Sequence, residues 1–215
     1  MGVGVLPVDN MNPYDNVAEL EKQIAEYAGA PYCVAVDSCT NALLLCFEYL
    51  GCEGKVIGLP KYTYVGVAYS VLNAGGKCDF HNGKWQGAYS IGHPSWRKMI
   101  VDSARRFTRY MYHPNTLTCL SGHWWKHLKM GRGGFILTDD LTAVETLKKM
   151  RYDGRTAGVR PNDDKFVTRG HHCYMLPEEA ARGLMLMANM PDVNEDIPAD
   201  DYADLSQFPI FQEGY

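Results

Sequence analysis

A chain of 215 residues, 46% hydrophobic and 21% charged, suits one α/β domain with a sizeable core, alone or with a tail. Its apolar stretches, such as residues 42–47, are far too short to span a bilayer, and the apolar start at residues 1–6 lacks a basic flank and meets Pro7, which speaks against a secretory leader. The net charge of −4, with no nucleic-acid-binding motif, argues against a nucleic-acid partner despite the pairs Arg105-Arg106 and Lys148-Lys149.

Taken in chain order, the first helix is expected over residues 17–27. Leu20, Ile24 and Tyr27 share one face, Glu19, Glu21 and Lys22 the other, and Gly29 ends it. A short strand at 33–36 runs into Asp37-Ser38-Cys39-Thr40, a cap for a second helix over 41–50. Strand 55–59 stops at Pro60, a third helix covers 65–74, and strand 77–80 follows Gly75-Gly76. Residues 99–101 read as a short buried strand leading into Asp102, and 135–138 as a strand introduced by Gly133-Gly134. Helices are expected at 141–151 and at 177–189, the latter with proline at its first position. Strands alternating with helices over short loops predict an open α/β sheet, mixed but mostly parallel, with helices on both faces.

The chain divides by composition into a body, residues 1–190, and an acidic extended tail, 191–215. After Arg182 no Lys or Arg occurs, whereas Asp192, Glu195, Asp196, Asp200, Asp201, Asp204 and Glu213 follow. A mildly basic body suits an anionic ligand such as a phosphate, and the tail reads equally as a solvated end. The seven cysteines are odd in number and form no Cys-x-x-Cys pair, so they read as reduced thiols of a cytoplasmic protein. His171-His172-Cys173 lacks metal-ligand spacing, because adjacent residues point in different directions.

Four features could carry chemistry, and each has an ordinary alternative. Ser38, Cys39 and Thr40 join a strand to a helix, where free N–H groups and the helix dipole favour a phosphate; Ser38 or Thr40 could equally be a plain N-cap. Lys126, in Ser121-Gly122-His123-Trp124-Trp125-Lys126-His127, lies among aromatic groups that would lower its pKa and make its amine a nucleophile for an aldehyde; alone, it reads first as a surface lysine. Asp102 ends an apolar strand at the edge where ligands bind in open α/β sheets, or caps a helix, or pairs with Arg105 or Arg106. Tyr64 offers a flat face at the end of the 55–59 strand, or packs in the core.

In this order the segments resemble the DegT/DnrJ/StrS-type sugar aminotransferases, pyridoxal-phosphate (PLP) enzymes of fold type I. The likeness runs from about residue 16 to 187, through residues 17–45, 60–80, 100–107, 121–140 and, more weakly, 170–187. It implies that Lys126 holds the cofactor covalently, that Ser121, Cys39 and Thr40, beside Ser38, hold its phosphate, that Asp102 binds the pyridine nitrogen and that Tyr64 stacks on the ring. Arg105 stands where the family usually has Gln or His, and His172 where it has Asn. The resemblance also implies a homodimer whose sites are shared, with His172 or an arginine from 151–169 reaching across. The implied activity is transfer of an amino group from an amino acid, glutamate first, to a keto-sugar. The chain reads as a short form without the family's C-terminal domain, and a PLP-binding relative with a regulatory or assembly role is the alternative.

Overall fold

The computed structural model describes residues 12–199 and 202–212. The apolar start read above lies outside them, as do Asp200, Asp201 and Glu213 of the acidic segment.

Helix α1 (Asp15–Ala28) places Leu20, Ile24 and Tyr27 in the interior, and Gly29 closes it in the left-handed conformation, φ 76°, with its N–H on the last carbonyls. Glu21, expected on the solvent face, is buried. Its carboxylate accepts from the Ala35 N–H (2.9 Å) and pairs with Arg151 (2.5 Å) and Lys148 (3.0 Å), so tertiary partners outweigh the helical pattern. Strand β1 (Tyr32–Val36) follows, then α2 (Cys39–Tyr49), β2 (Val56–Pro60), α3 (Val65–Asn73) and β3 (Lys77–His81). The second half carries β4 (Tyr89–Ile91), β5 (Met99–Asp102), β6 (Thr116–Ser121), β7 (Gly134–Thr138), α4 (Leu141–Met150) and α5 (Pro177–Met187).

Five strands form one sheet in the order β1-β7-β6-β5-β4, and β2 and β3 form a parallel pair beside it. The sheet is mixed. β7 runs antiparallel to both β1 and β6, and β4 antiparallel to β5, so within this sheet only β5 and β6 meet as parallel neighbours. The expectation of mostly parallel pairing is corrected here: β1, β5 and β6 do point the same way, but β7 is inserted between them in reverse. The β6–β7 connection returns directly instead of crossing over through a helix, which requires the antiparallel sense.

Successive residues of the central strands enter two cores. Val34, Val36 and Ile136 face the core shared with α2, α3 and α4, whereas Cys33, Ala35, Phe135 and Leu137 face the one shared with α1 and α5. Burial on both faces explains the unbroken apolar run of β7. The described residues past Pro191, 192–199 and 202–212, lie along the domain with little regular structure besides short 3-10 turns at Leu205–Gln207 and Pro209–Phe211. Leu205 and Phe211 are seated in the first core.

Gly134 is required by close approach. A Cβ there would lie 2.2 Å from the carbonyl carbon of Ser38, inside the turn between β1 and α2. Gly134→Ala is therefore expected to cost at least about 3 kcal/mol of stability, read as a lower denaturant midpoint in urea melts. Wild-type stability in that variant would contradict the contact.

Candidate active site

The register of the sheet brings the functional positions to one edge. Val36 pairs with Gly134, Gly134 with Ser121, Asp102 with Cys119 and Tyr89 with Asp102. The carboxyl ends of β1, β5 and β6 thus meet the amino ends of β7 and β4. Ligands bind at the carboxyl edge of open α/β sheets because helix N-termini and loops converge there.

Helix α2 starts at this edge. Ser38 is its N-cap, with Oγ accepting from the Asn41 N–H (3.2 Å), and the Ser70 hydroxyl donates to the Thr40 carbonyl (2.9 Å). The first turn therefore presents N–H donors and the positive end of the helix to the space above the sheet. Ser38 also bridges to Gly133, so the cap and the β6–β7 loop are joined. Gly66 keeps the opposite side close, since a Cβ there would lie 2.9 Å from the Thr40 hydroxyl and 2.6 Å from the Tyr64 ring.

The β6–β7 loop carries Lys126 and is closed at its base. The Gly122 N–H donates to the Gly133 carbonyl (2.8 Å), His123 bridges to Gly131, and the Lys126 N–H donates to the His123 carbonyl (2.8 Å). Gly131 and Gly133, at φ 100° and 142°, supply conformations that L side chains rarely adopt. Lys126 is half-buried rather than on the open surface.

These groups, with Asp102, line one cavity of about 540 Å³. Seven other residues named from the sequence are in it: Ser38, Cys39, Thr40, Tyr64, Arg105, Ser121 and Lys126 itself. His172 is not. Its imidazole is largely exposed, and Nδ1 lies 3.0 Å from the Asp153 carboxylate outside the cavity, so within one chain it takes no part in the site.

Asp102 is buried, and burial raises its pKa; the Ala104 N–H (3.0 Å to Oδ1), the Tyr89 hydroxyl and the positive charges of Lys126 and Arg105 act against that rise. The Cys39 thiol is pushed well above its ordinary value, by burial first and then by the Asp102 carboxylate, while Lys126 lowers it. Burial thus holds Cys39 as a neutral thiol that reacts slowly with electrophiles while the site is closed to water. The field of Lys126 reaches both Asp102 and Cys39, which sets its charge between the carboxylate and the helix cap.

This arrangement provides three things in one cavity: donors for an anion at the α2 cap, a buried carboxylate suited to a protonated ring nitrogen, and an amine between them. A flat heterocycle with a phosphate at one end and a basic nitrogen at the other matches all three, so the residues fit PLP.

Sequence reasoning passed over several lining residues. Trp125 and Arg132 lie within the lysine loop itself and could have been read from it; Arg132 is bound to the Asp37 carboxylate and, through Nε, to its carbonyl (3.3 Å). Tyr89 bonds the Thr63 hydroxyl (2.7 Å) and Asp102, and Trp85, Ile197 and Tyr202 arrive from distant segments with no local signal.

A profile of the DegT/DnrJ/EryC1/StrS aminotransferase family matches residues 4–84. A UDP-4-amino-4,6-dideoxy-N-acetyl-beta-L-altrosamine transaminase of Campylobacter jejuni is 33% identical over 64 residues, which cover 30% of this chain and 17% of that protein. Among solved structures, 3-amino-5-hydroxybenzoic acid synthase superposes with a TM-score of 0.69 at 16% identity, over 82% of this chain and 56% of its own. The aminotransferase PseC of Helicobacter pylori, involved in pseudoaminic acid biosynthesis, gives 0.67 at 16% identity, over 82% and 58%. The sugar aminotransferase CalS13 of Micromonospora echinospora gives 0.67 at 17%, over 81% and 60%. The chain has the fold of these proteins and spans about three fifths of their length or less.

Proposed function

We propose that this chain, which resembles the DegT/DnrJ/EryC1/StrS aminotransferases over residues 4–84, is a PLP-dependent aminotransferase that moves an amino group from an amino acid, glutamate first, to a keto-sugar. The observation that carries the reading is the convergence of Lys126, Asp102 and the α2 cap on one cavity.

In this reading the backbone N–H groups of the Ser38–Thr40 turn and the Ser121 hydroxyl hold the cofactor phosphate, and Tyr64 covers the ring. Asp102 holds the proton of the pyridine nitrogen, which its burial between Tyr89 and the Ala104 N–H equips it to do. Bound PLP supplies an electron sink for carbanion chemistry. Lys126 anchors it covalently and, when displaced by the amino donor, is the base that takes the donor's α-proton and returns it elsewhere. The pinned base of the lysine loop keeps that amine within reach of both positions. Trp85, Ile197 and Tyr202 line the remaining wall and help exclude water.

The acceptor's keto-sugar character rests on the names borne by the relatives. We place the protein in the cytoplasm, on its reduced cysteines, and take the working unit to be a homodimer. There, His172 or an arginine of the 151–169 segment reaches the neighbour's phosphate, since His172 is turned away from its own cavity.

The test is the visible absorption spectrum of the purified protein with added PLP, before and after glutamate. A protein-bound cofactor band that bleaches with glutamate is expected. A band indifferent to amino donors would leave a PLP-binding protein without transaminase activity, and no band would end the reading.

A further inference from the structure

The acidic segment past Pro191 is bound to both sides of the candidate site. On the Asp102 side, Arg105 follows the carboxylate by three residues. Its carbonyl accepts from the Ile197 N–H (3.0 Å), Nε donates to the Tyr202 hydroxyl (2.8 Å), its guanidinium lies 4.5 Å from the Tyr202 ring centroid, and Nη1 donates to the Pro198 carbonyl. Arg106 grips Asp196 with two nitrogens, at 2.8 and 2.6 Å. On the Lys126 side, the imidazole Nε2 of His127 lies 2.8 Å from the Glu195 carbonyl. Farther on, Lys61 pairs with Asp204 (2.7 Å), and Leu205 is buried.

This path is matched to the domain beneath it. Gly87 passes so close to the segment that a Cβ there would lie 2.2 Å from the Asp196 carboxyl group, and Trp85 stacks on Tyr202 with ring centroids 6.0 Å apart. Ile197 and Tyr202 themselves line the cavity. A solvated acidic tail would show none of these contacts.

We propose that residues 192–199 and 202–205 form a strap that walls the cavity and governs entry to it. Tyr202 is the residue through which the strap meets the bound molecule, on the side left for the acceptor. Its hydroxyl and ring, beside the Trp85 indole, suit a hydroxylated ring that offers both an apolar face and hydrogen-bonding groups. Arg105 is a positioning residue, since its side chain orients Tyr202. The identity of the ligands rests on the aminotransferase reading, whereas the strap and its control of access do not.

The test uses the full chain without cofactor and two readouts: hydrogen exchange at the Ile197 amide, and alkylation of Cys39 by iodoacetamide, located by mass spectrometry. Cys39 lines the cavity and reports entry to it. In the wild type both are expected to be slow. Arg106→Ala removes a two-point charged contact and is expected to speed both by about tenfold. Asp196→Asn, which keeps the shape of the side chain, should act in the same direction and covers the case in which Arg106→Ala fails to fold. An unprotected Ile197 amide in the wild type overturns the proposal, as does faster exchange in the variants with unchanged Cys39 alkylation. Added PLP should slow Cys39 alkylation in the wild type; if it does not, the cofactor reading fails while the strap stands on the other two results.

Discussion

Lys126→Ala is expected to leave a folded protein that shows no bleachable cofactor band and turns over at least about 10⁴-fold more slowly. The size of the effect follows from the two roles placed on one amine, covalent anchoring and proton transfer, for which the described residues of the cavity offer no second lysine. Folding should survive, because Lys126 is half-buried and the backbone bonds that shape its loop belong to Gly122, Gly133 and His123. Removing the cation also leaves the Asp102 charge less compensated, so the variant should hold that carboxyl protonated to higher pH than the wild type. Denaturant melts and spectra on one preparation check both halves. Turnover within tenfold of wild type would rule out Lys126 as the catalytic amine.

The second large effect has opposite signs for stability and activity. Asp102→Asn is expected to stabilise the cofactor-free protein at neutral pH by about 1–3 kcal/mol while lowering turnover by roughly 10²–10⁴-fold. The folded-state pKa of Asp102 is raised above its unfolded value, so the folded chain binds the proton more tightly. Stability from this group is therefore highest at low pH and falls as pH rises from the ordinary carboxylate value through the raised one. Above that window a buried carboxylate has been desolvated without full compensation, and an amide avoids the cost. Asparagine keeps an oxygen for the Ala104 N–H and gains a donor for the Tyr89 oxygen, so the site stays bonded. It cannot hold a ring nitrogen protonated. Urea melts of both proteins across acidic to neutral pH should converge at low pH and separate above it. A variant less stable than wild type at neutral pH would contradict the burial argument.

Much of the fold was legible because its helices and most strands carry local signals. The helix starting at Cys39 announced itself by Ser38, and β5 by an apolar run ending in Asp102. Strand β6 was missed, although it is central to the sheet. Thr116 and Thr118 interrupt its apolar pattern, and what makes them burial-compatible is tertiary: their hydroxyls bond each other (2.9 Å), and Thr116 donates to the His113 carbonyl (2.7 Å). Strand β4 is three residues long, too short for any periodicity. In the candidate site, Lys126, Ser121 and the cap could be read because they sit in contiguous segments. Tyr89, Trp85 and Tyr202 could not, because sheet register and the path of the acidic segment bring them in, and neither is written locally. Glu21 shows the same limit in the core, as a charge on a predicted polar face that long-range partners draw inside.

The reversed insertion of β7 also sets the order in which the molecule can be made. Among the described residues β1 has its one ladder with β7, from Tyr32 opposite Thr138 to Val36 opposite Gly134, so about a hundred residues must leave the ribosome before β1 finds this neighbour. Until then an apolar strand waits with its edge unsatisfied, guarded mainly by α1 and α2 on either side. Pairing at this sequence separation is slow, because loop closure precedes any reward from contacts. The α2 cap is fixed to the lysine loop by the same pairing, so the nascent chain holds no working pocket early on. Its ability to take up a ligand arises late, together with the last strand of the sheet.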